Sequence, residues 1–162
     1  MTPMRIPTLY LDTSVIGGYH DALWKQDTRE LWQQRESGLW HFISSGLVAQ
    51  EVADAPPEVQ QTFEDTFVRS KDLLPMTSEI EDLAQEYLKA GVVSTKFEDD
   101  ARHVAICTVH RIAHLVSWNF KHLVNVRRAA GFNAVNLLQG YPQISIVNPK
   151  EIIYASTNDQ DL

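Results

Sequence analysis

Four oxygen-bearing side chains stand at positions where metal-assisted chemistry is expected. Asp12 directly follows the apolar run at 9–11, and Asn119 ends another strand-like run. Glu51 lies in the helix-like segment after the second strand, and Asp100 opens the helix-like segment before the fourth. Carboxylates gathered without a nearby Lys or Arg repel one another unless a cation binds, and ligand sets made only of oxygen select hard ions such as Mg²⁺ or Mn²⁺. If the fold brings these side chains together, they predict a metal site.

Asp12 has two interpretations at this stage. The run Leu-Tyr-Leu before it is typical of a strand buried on both faces, and ligands gather outside the carboxyl ends of strands in open α/β sheets. An Asp followed by Thr13 and Ser14 is also an ordinary N-cap, and residues 13–19 could form a short helix. The sequence leaves both interpretations open.

The choice among three consecutive acids depends on helical geometry. A helix from Glu98 to about Arg111 would place Glu98, Asp99 and Asp100 at the positive end of its dipole, which alone could account for them. At about 100° per residue, Asp100 falls at the edge of the apolar stripe and Asp99 points away from it. Glu98 also falls near the stripe and is a minor rival. We therefore expect Asp100 to face a cleft and Asp99 to face water.

Strand-like and helix-like segments alternate along the chain, which predicts an α/β fold with a mostly parallel sheet of four to five strands and helices on both faces. The predicted strands are 9–11, 39–44, 72–74, 114–118 and 144–147. The predicted helices are 13–19, 27–37, 45–52, 58–70, 77–90, 98–111, 123–130 (closed by Gly131) and 149–154. A length of 162 residues suits one domain, which we place at 1–154, followed by a polar tail at 155–162.

The composition is that of a soluble globular protein, with 44% hydrophobic and 22% charged residues. The single Cys107 rules out an intramolecular disulfide. The sequence has no signal-like start and no run near the roughly 20 apolar residues that span a bilayer, so we expect a cytoplasmic protein with no membrane contact. The net charge of −7 argues against a broad nucleic-acid-binding face, but the cations between Lys96 and Arg128 allow a local positive patch.

Four segments resemble the successive motifs of PIN domains, and most of all those of the VapC-type toxins of bacterial toxin–antitoxin pairs. They are Leu-Asp-Thr-Ser-Val-Ile at 11–16, Ser-Ser-Gly-Leu-Val-Ala-Gln-Glu at 44–51, Glu-Asp-Asp-Ala-Arg-His-Val-Ala at 98–105 and Val-Ser-Trp-Asn-Phe-Lys-His at 116–122. The resemblance runs from Leu9 to about Val147. It implies a three-layer α/β/α sandwich, metal-dependent cleavage of RNA, a homodimer and a small antitoxin partner.

The resemblance also assigns residue roles. Asp12, Glu51 and Asp100 fall on the family's acids and would hold Mg²⁺ or Mn²⁺, and Thr13 falls on the supporting hydroxyl residue. Asn119 takes the fourth catalytic position, where the family commonly has Asp. An amide oxygen can accept a hydrogen bond from a metal-bound water, but it brings no negative charge.

Substrate phosphates require cations, and Lys121, Arg127 and Arg128, with Lys96, are the local candidates. Arg127 and Arg128 could equally be a solvated helix end. Two other functions stay open. One is a PIN-fold RNA-binding or protein-interaction module with weakened catalysis. The other is a phosphatase-like enzyme with Asp12 as nucleophile, although the sequence has no second Asp two residues on and no glycine-rich phosphate loop.

Two further expectations concern side chains outside these motifs. We expect His103 to pack or bond at a helix surface. The apolar side chains Val59, Phe63 and Phe67 recur at spacings of four. Either this stripe or the helix that carries Ile80 could form a dimer or antitoxin face, although the core has the first claim on apolar stripes.

Overall fold

A parallel sheet carries the fold. The computed structural model describes residues 5–155. The strands are β1 (Thr8–Leu11), β2 (His41–Ser45), β3 (Leu73–Leu74), β4 (His114–Val116) and β5 (Ser145–Val147). They lie in the order β3-β2-β1-β4-β5, and every pairing is parallel. The predicted α/β fold with a parallel sheet is confirmed.

Helices flank the sheet, as expected of a three-layer α/β/α sandwich. The helices within the described residues are α1 (Thr13–Gly18), α2 (Lys25–Glu36), α3 (Gly46–Val52), α4 (Pro57–Thr66), α5 (Ser78–Lys89), α6 (Glu98–Val109), α7 (Val126–Leu138) and α8 (Pro149–Ala155). Short 3₁₀ turns at Ser70–Asp72 and Thr95–Phe97 lead into β3 and α6.

The topology creates a crevice at one edge of the sheet. β1 is the central strand, with a paired neighbour on each side, and Leu9, Tyr10 and Leu11 are fully buried because helices cover both faces of the sheet. The chain leaves β1 for β2 on one side and later returns to β4 on the other. In open α/β sheets such a change of direction leaves a binding crevice at the carboxyl ends of the strands. Asp12 and Ser117 directly follow β1 and β4 at this place.

Two predicted helices have wrong boundaries. The helix predicted at 58–70 ends at Thr66, because Phe67 (φ −109°, ψ 57°) leaves the helical conformation, and the helix predicted at 123–130 begins only at Val126. α7 does not end before Gly131 but runs through it to Leu138, and Asn125 caps its start by accepting hydrogen bonds from the backbone N–H groups of Arg127 (3.1 Å) and Arg128 (3.3 Å). A Cβ added at Gly131 would lie 3.1 Å from Cγ1 of Val92. The glycine therefore permits a close approach between α7 and the segment after α5, and it does not terminate a helix.

The apolar side chains form one continuous core. Val59, Phe63 and Phe67 belong to it, with exposed fractions of 6 to 8%, so this stripe is part of the core and not a free face. No helix among the described residues is long and apolar enough to cross a bilayer. Ala155 ends α8, and the rest of the predicted polar tail lies outside the described residues.

Candidate functional site

Asp12 lies at the carboxyl end of β1 with 4% of its surface exposed. Its Oδ1 accepts hydrogen bonds from Ser14 Oγ (2.6 Å) and from the backbone N–H of Val15 (3.3 Å), and its Oδ2 accepts one from Ser117 Oγ (2.5 Å). Burial raises the pKa of Asp12, while His103 and these hydroxyl donors oppose the rise. Asp12 is thus the N-cap of α1 and also a buried carboxylate in the crevice, so the two interpretations are compatible.

Glu51 reaches the same edge from α3. Its Oε1 accepts a hydrogen bond from Thr13 Oγ1 (2.9 Å) and lies 2.7 Å from His103 Nε2. Burial acts against ionisation of Glu51, but the bonds to His103 and Thr13 lower its pKa overall. The hydroxyl of Thr13 therefore orients the second predicted acid.

His103 does not lie at a helix surface, and that prediction is wrong. Only 3% of the residue is exposed, and its Nδ1 lies 2.8 Å from the Tyr10 hydroxyl, which in turn lies 2.8 Å from Ser45 Oγ. Burial disfavours the imidazolium, but the hydrogen bond to Glu51 and the charges of Asp12, Glu51 and Asp100 raise the pKa of His103 overall. The acids, beside which the sequence indicated no Lys or Arg, thus favour the protonated form of a buried histidine.

Asp100 occupies the first turn of α6 and is partly buried. Burial raises its pKa to about 6, and the negative charges of Asp12 and Glu51 act in the same direction, against His103 and the hydrogen bond from Asn119. These effects link all three predicted acids in one electrostatic cluster. We call Asp12, Glu51 and Asp100 the acid cluster.

The neighbouring acids of α6 point elsewhere. Asp99 is 54% exposed at its side chain and lies 2.7 Å from Arg102 Nη1, while Glu98 lies 3.5 Å from Nη2 of the same Arg102. The prediction that Asp99 faces water is confirmed. Its partner Arg102 also holds Glu98, which leaves Asp100 as the acid of this turn that joins the cluster.

Asn119 follows β4 and contacts the cluster through its amide nitrogen. Its Nδ2 donates to Asp100 Oδ1 (3.2 Å), and its Oδ1 accepts from the backbone N–H of His122 (3.0 Å). The amide thereby ties the chain after β4 to Asp100. In this orientation Asn119 supports Asp100 and presents a donor to the cluster.

The oxygens of the acid cluster suit a hard cation in their chemistry. Asp12 uses about three of its four lone-pair sites for hydroxyl and backbone donors, while Asp100 Oδ2 and Glu51 Oε2 accept no hydrogen bond within residues 5–155. In the same range, no three His, Cys, Asp or Glu side chains lie close enough to enclose a metal by themselves. Mg²⁺ does not require such a cage, because one or two carboxylates and several waters commonly hold it.

The predicted phosphate-binding residues converge at a separate place. Lys121, Arg127 and Arg128 line one cavity of about 430 Å³, which none of the predicted acids lines. Lys96 is not among its lining residues, and its Nζ lies 5.8 Å from the ring centroid of Phe97. The cations are thus grouped beside the acid cluster and not within it.

Comparison of the chain with protein-family models, with curated proteins and with solved structures gave no match. The fold and the site together define a parallel α/β/α protein with coupled carboxylates at its topological switch point.

Proposed function

We propose that this protein is a metal-dependent endoribonuclease of the PIN-domain type and the toxin of a type II toxin–antitoxin pair. The observation that carries the proposal is the convergence of the acid cluster where β1 and β4 end: Asp12 accepts from Ser117, Glu51 accepts from Thr13, and Asp100 accepts from Asn119. Burial and the charges of Asp12 and Glu51 raise the pKa of Asp100 in this arrangement to about 6. A bound cation would relieve this repulsion, and Mg²⁺ or Mn²⁺ is the class of ion that carboxylate oxygens select. The motif resemblance supplies RNA as the substrate.

Each residue of the acid cluster would have its own role in holding the ion. Asp12 is fixed by Ser14 and Ser117, and Glu51 is fixed by Thr13 and His103. The last lone-pair site of Asp12 and the Oε2 atom of Glu51 would therefore hold the ion or a water without reorganising. A bound divalent ion supplies a water of lowered pKa and offsets charge on the phosphoryl oxygens. Asp100 would be a further ligand, oriented by Asn119.

The second candidate is an RNA-binding module with weakened catalysis. Asn119 favours it, because this side chain turns a hydrogen-bond donor toward Asp100 where the family commonly has an acid. Such a protein would bind RNA but would not cleave it at an appreciable rate.

Cleavage of a mixed structured RNA pool by the purified protein tests the proposal. Reactions with Mg²⁺, Mn²⁺ or EDTA are compared for the wild type and for Asp12→Asn, Asp100→Asn and the exposed control Asp99→Asn. We expect divalent-dependent cleavage by the wild type and by Asp99→Asn, and its loss in the two cluster variants. A wild type that binds RNA but leaves it intact in every condition overturns the nuclease proposal in favour of the binding module.

The expected partners rest on the same resemblance. A homodimer predicts twice the mass of 18.4 kDa in light scattering of the purified chain. A small antitoxin protein would bind the folded toxin and suppress RNA cleavage. A monomer at all accessible concentrations would remove the homodimer from the proposal and leave the nuclease assignment unaffected.

A further inference from the structure

The cavity lined by Lys121, Arg127 and Arg128 is strongly positive in an otherwise acidic protein. We call it the basic cleft. No Asp or Glu is among its lining residues, which also include Asn125 and Gly131. None of the three cations forms an ion pair with a carboxylate anywhere in residues 5–155. With a net charge of −7 on the chain, three cations in one cavity without acidic partners favour an anionic ligand.

The backbone adds to this positive potential. α7 is 13 residues long and begins at the cleft, where Asn125 caps it and Arg127 and Arg128 occupy its first turn. Asn125 Oδ1 already accepts from the N–H groups of Arg127 and Arg128, so α7 adds its dipole to the cleft, and the positive end of a helix dipole favours an anion. Arg128 also donates a hydrogen bond from Nη1 to the backbone carbonyl of Val92, which fixes its guanidinium on the far wall of the cleft.

A second cavity of about 470 Å³ adjoins the basic cleft and shares Gly91 and Arg128 with it. We call it the aromatic cavity, because Phe97 and His122 line it with their ring centroids 3.8 Å apart. Leu88, Val93, Ser94 and Thr95 complete the lining. The two cavities thus place an apolar, aromatic surface directly beside a group of cations.

His122 carries an unsatisfied polar atom at this place. The residue is 8% exposed, and its Nδ1 is buried with no hydrogen-bond partner among the described residues. Burial and the charges of Lys121 and Arg128 lower the pKa of His122, so the ring is neutral near pH 7. Most buried polar atoms are hydrogen-bonded, so His122 is a neutral ring at the cavity wall whose Nδ1 forms no hydrogen bond to the described residues.

The same chain segments connect both cavities to the acid cluster. Phe97 directly precedes α6, which carries Asp100, and the backbone N–H of His122 donates to Asn119 Oδ1. A strand held in the cavities would therefore continue toward the cluster.

From this arrangement we infer that the basic cleft and the aromatic cavity together bind one nucleotide of a single-stranded RNA. Lys121, Arg127 and Arg128 take its phosphate, and Phe97 and His122 contact the adjacent base. The inference rests on the proposed function for the choice of RNA. A single strand is required because a base must be unstacked from its neighbours to enter a protein cavity, and aromatic side chains are the usual surface for such a base.

Binding without cleavage tests the inference. The probe is a short fluorescein-labelled oligoribonucleotide, either single-stranded or annealed to its complement, and its fluorescence anisotropy is titrated in EDTA. The double variant Lys121→Gln/Arg127→Gln changes exposed side chains only. Its matched control, Arg69→Gln/Lys71→Gln, removes the same charge next to the edge strand β3, from exposed residues that line neither cavity.

We expect the cleft variant to bind the single strand at least about 10-fold more weakly than wild type. Its salt slope should fall by roughly 0.7, since the inference places one phosphate in the cleft and each phosphate neutralised on a single strand contributes roughly 0.7. The control should bind like the wild type. Equal binding by the cleft variant and its control overturns the inference, as does tighter binding of the duplex than of the single strand.

Phe97→Leu tests the base contact, because it keeps an apolar side chain but removes the ring. We expect roughly 5-fold weaker binding or more, with an unchanged salt slope. Unchanged affinity overturns the role of the aromatic cavity. The two proposals fail separately. If the protein binds RNA in the cleft but never cleaves it, only the nuclease proposal is contradicted. If the protein cleaves RNA but the cleft and Phe97 variants bind it as tightly as the wild type, only the inference is contradicted.

Discussion

At residue scale, Asp100 is a carboxylate that its own surroundings make costly to ionise. Burial and the neighbouring acids raise its pKa from 3.8 to about 6. The protonated form is therefore favoured in the folded state, so ionised Asp100 lowers the free energy of unfolding. This cost is absent well below pH 3.8, grows as the pH rises from 3.8 to about 6, and is complete above about pH 6.

Asp100→Asn removes the charge and keeps an oxygen that can accept from Asn119. In EDTA at pH 7.5 we expect it to stabilise the fold by an amount of the order of 1 kcal/mol after discounting for partial exposure.

Thermal unfolding at pH 7.5 and at pH below 4 measures this effect. The gain should vanish at the lower pH, where Asp100 is protonated in the folded and unfolded states alike. Asp99→Asn is the control, since its side chain is exposed and pairs with Arg102, and it should give no stabilisation at either pH. If Asp100→Asn is less stable than the wild type at pH 7.5, the claim that burial and the neighbouring acids make ionised Asp100 destabilising is contradicted.

Tyr10 connects the core to the cluster through His103. Tyr10→Phe leaves His103 Nδ1 and Ser45 Oγ without this partner, which should cost about 1–3 kcal/mol of unfolding free energy. It should also slow RNA cleavage by roughly 10-fold, the lower end of what outer-shell partners contribute, because His103 then holds Glu51 less firmly.

Tyr87→Phe separates the two effects of Tyr10→Phe. Tyr87 is as deeply buried as Tyr10, and its hydroxyl bonds to Thr108 and Asn136, neither of which touches the acid cluster. It should therefore lower the melting temperature by a similar amount and leave the cleavage rate per folded molecule unchanged. Equal losses of activity in both variants would show that Tyr10 acts on stability alone.

The sequence identifies the acids of the cluster, but it does not reveal which residues surround them. Asp12 is recognisable because a buried run stops at it, and Asp100 because the helical wheel places it at the edge of the stripe. His103 escaped this reasoning because α6 is covered on more than one side, with Ile106 and Cys107 buried as well. Periodicity describes one apolar face, and it does not reveal that a polar side chain on another face is enclosed by a neighbouring strand and helix.

At the scale of elements, the contact between α1 and the end of β4 is unusually close. A Cβ added at Gly18 would lie 2.8 Å from the indole ring of Trp118, which is stacked on Trp24 and donates from Nε1 to Thr28. Because this ring cannot move freely, we expect Gly18→Ala to cost about 1–3 kcal/mol in unfolding free energy. Trp118 lies between Ser117 and Asn119, so RNA cleavage should fall as well.

Gly17→Ala is a matched substitution in the same helix. A Cβ at Gly17 meets no atom within 4 Å, and Ala is the better helix former by about 1 kcal/mol. We therefore expect an unchanged or higher melting temperature and unchanged cleavage. If Gly17→Ala and Gly18→Ala have the same effect in thermal unfolding, the close packing of Gly18 against Trp118 is not what holds α1 at its distance from the end of β4.

The elements themselves follow closely from periodicity, and their ends depend on tertiary contacts. Each predicted strand overlaps an observed one, since short apolar runs between helical patterns are distinctive in this chain. Gly131 was interpreted as a helix stop because glycine commonly ends helices. Its actual role is to admit Val92 against α7, and a contact between segments so distant in sequence leaves no local pattern.

At the scale of the whole molecule, opposite charges are placed on neighbouring parts of one surface. The acid cluster lies where β1 and β4 end, and the basic cleft lies beyond Asn119 along the same connection. A polyanion could be held by the cleft, but the cluster alone would repel it. A cation at the cluster would remove that repulsion, so under the proposed function metal binding would be the event that lets RNA approach the acids.

Metal binding should therefore be measurable as stability, without any RNA. An ion that binds only the folded state stabilises it by RT ln(1 + [L]/Kd), about 2.7 kcal/mol at a hundredfold excess over Kd. We expect Mg²⁺ or Mn²⁺ to raise the melting temperature of the wild type and of Asp99→Asn relative to NaCl of equal ionic strength. Asp12→Asn and Asp100→Asn should lose this rise, although Asp100→Asn starts from a higher melting temperature in EDTA.

An equal rise in all four proteins would be a general salt effect and would contradict a metal site at the cluster. A rise confined to proteins with the intact cluster, in a chain that does not cleave RNA, would place the defect at Asn119 and not in metal binding.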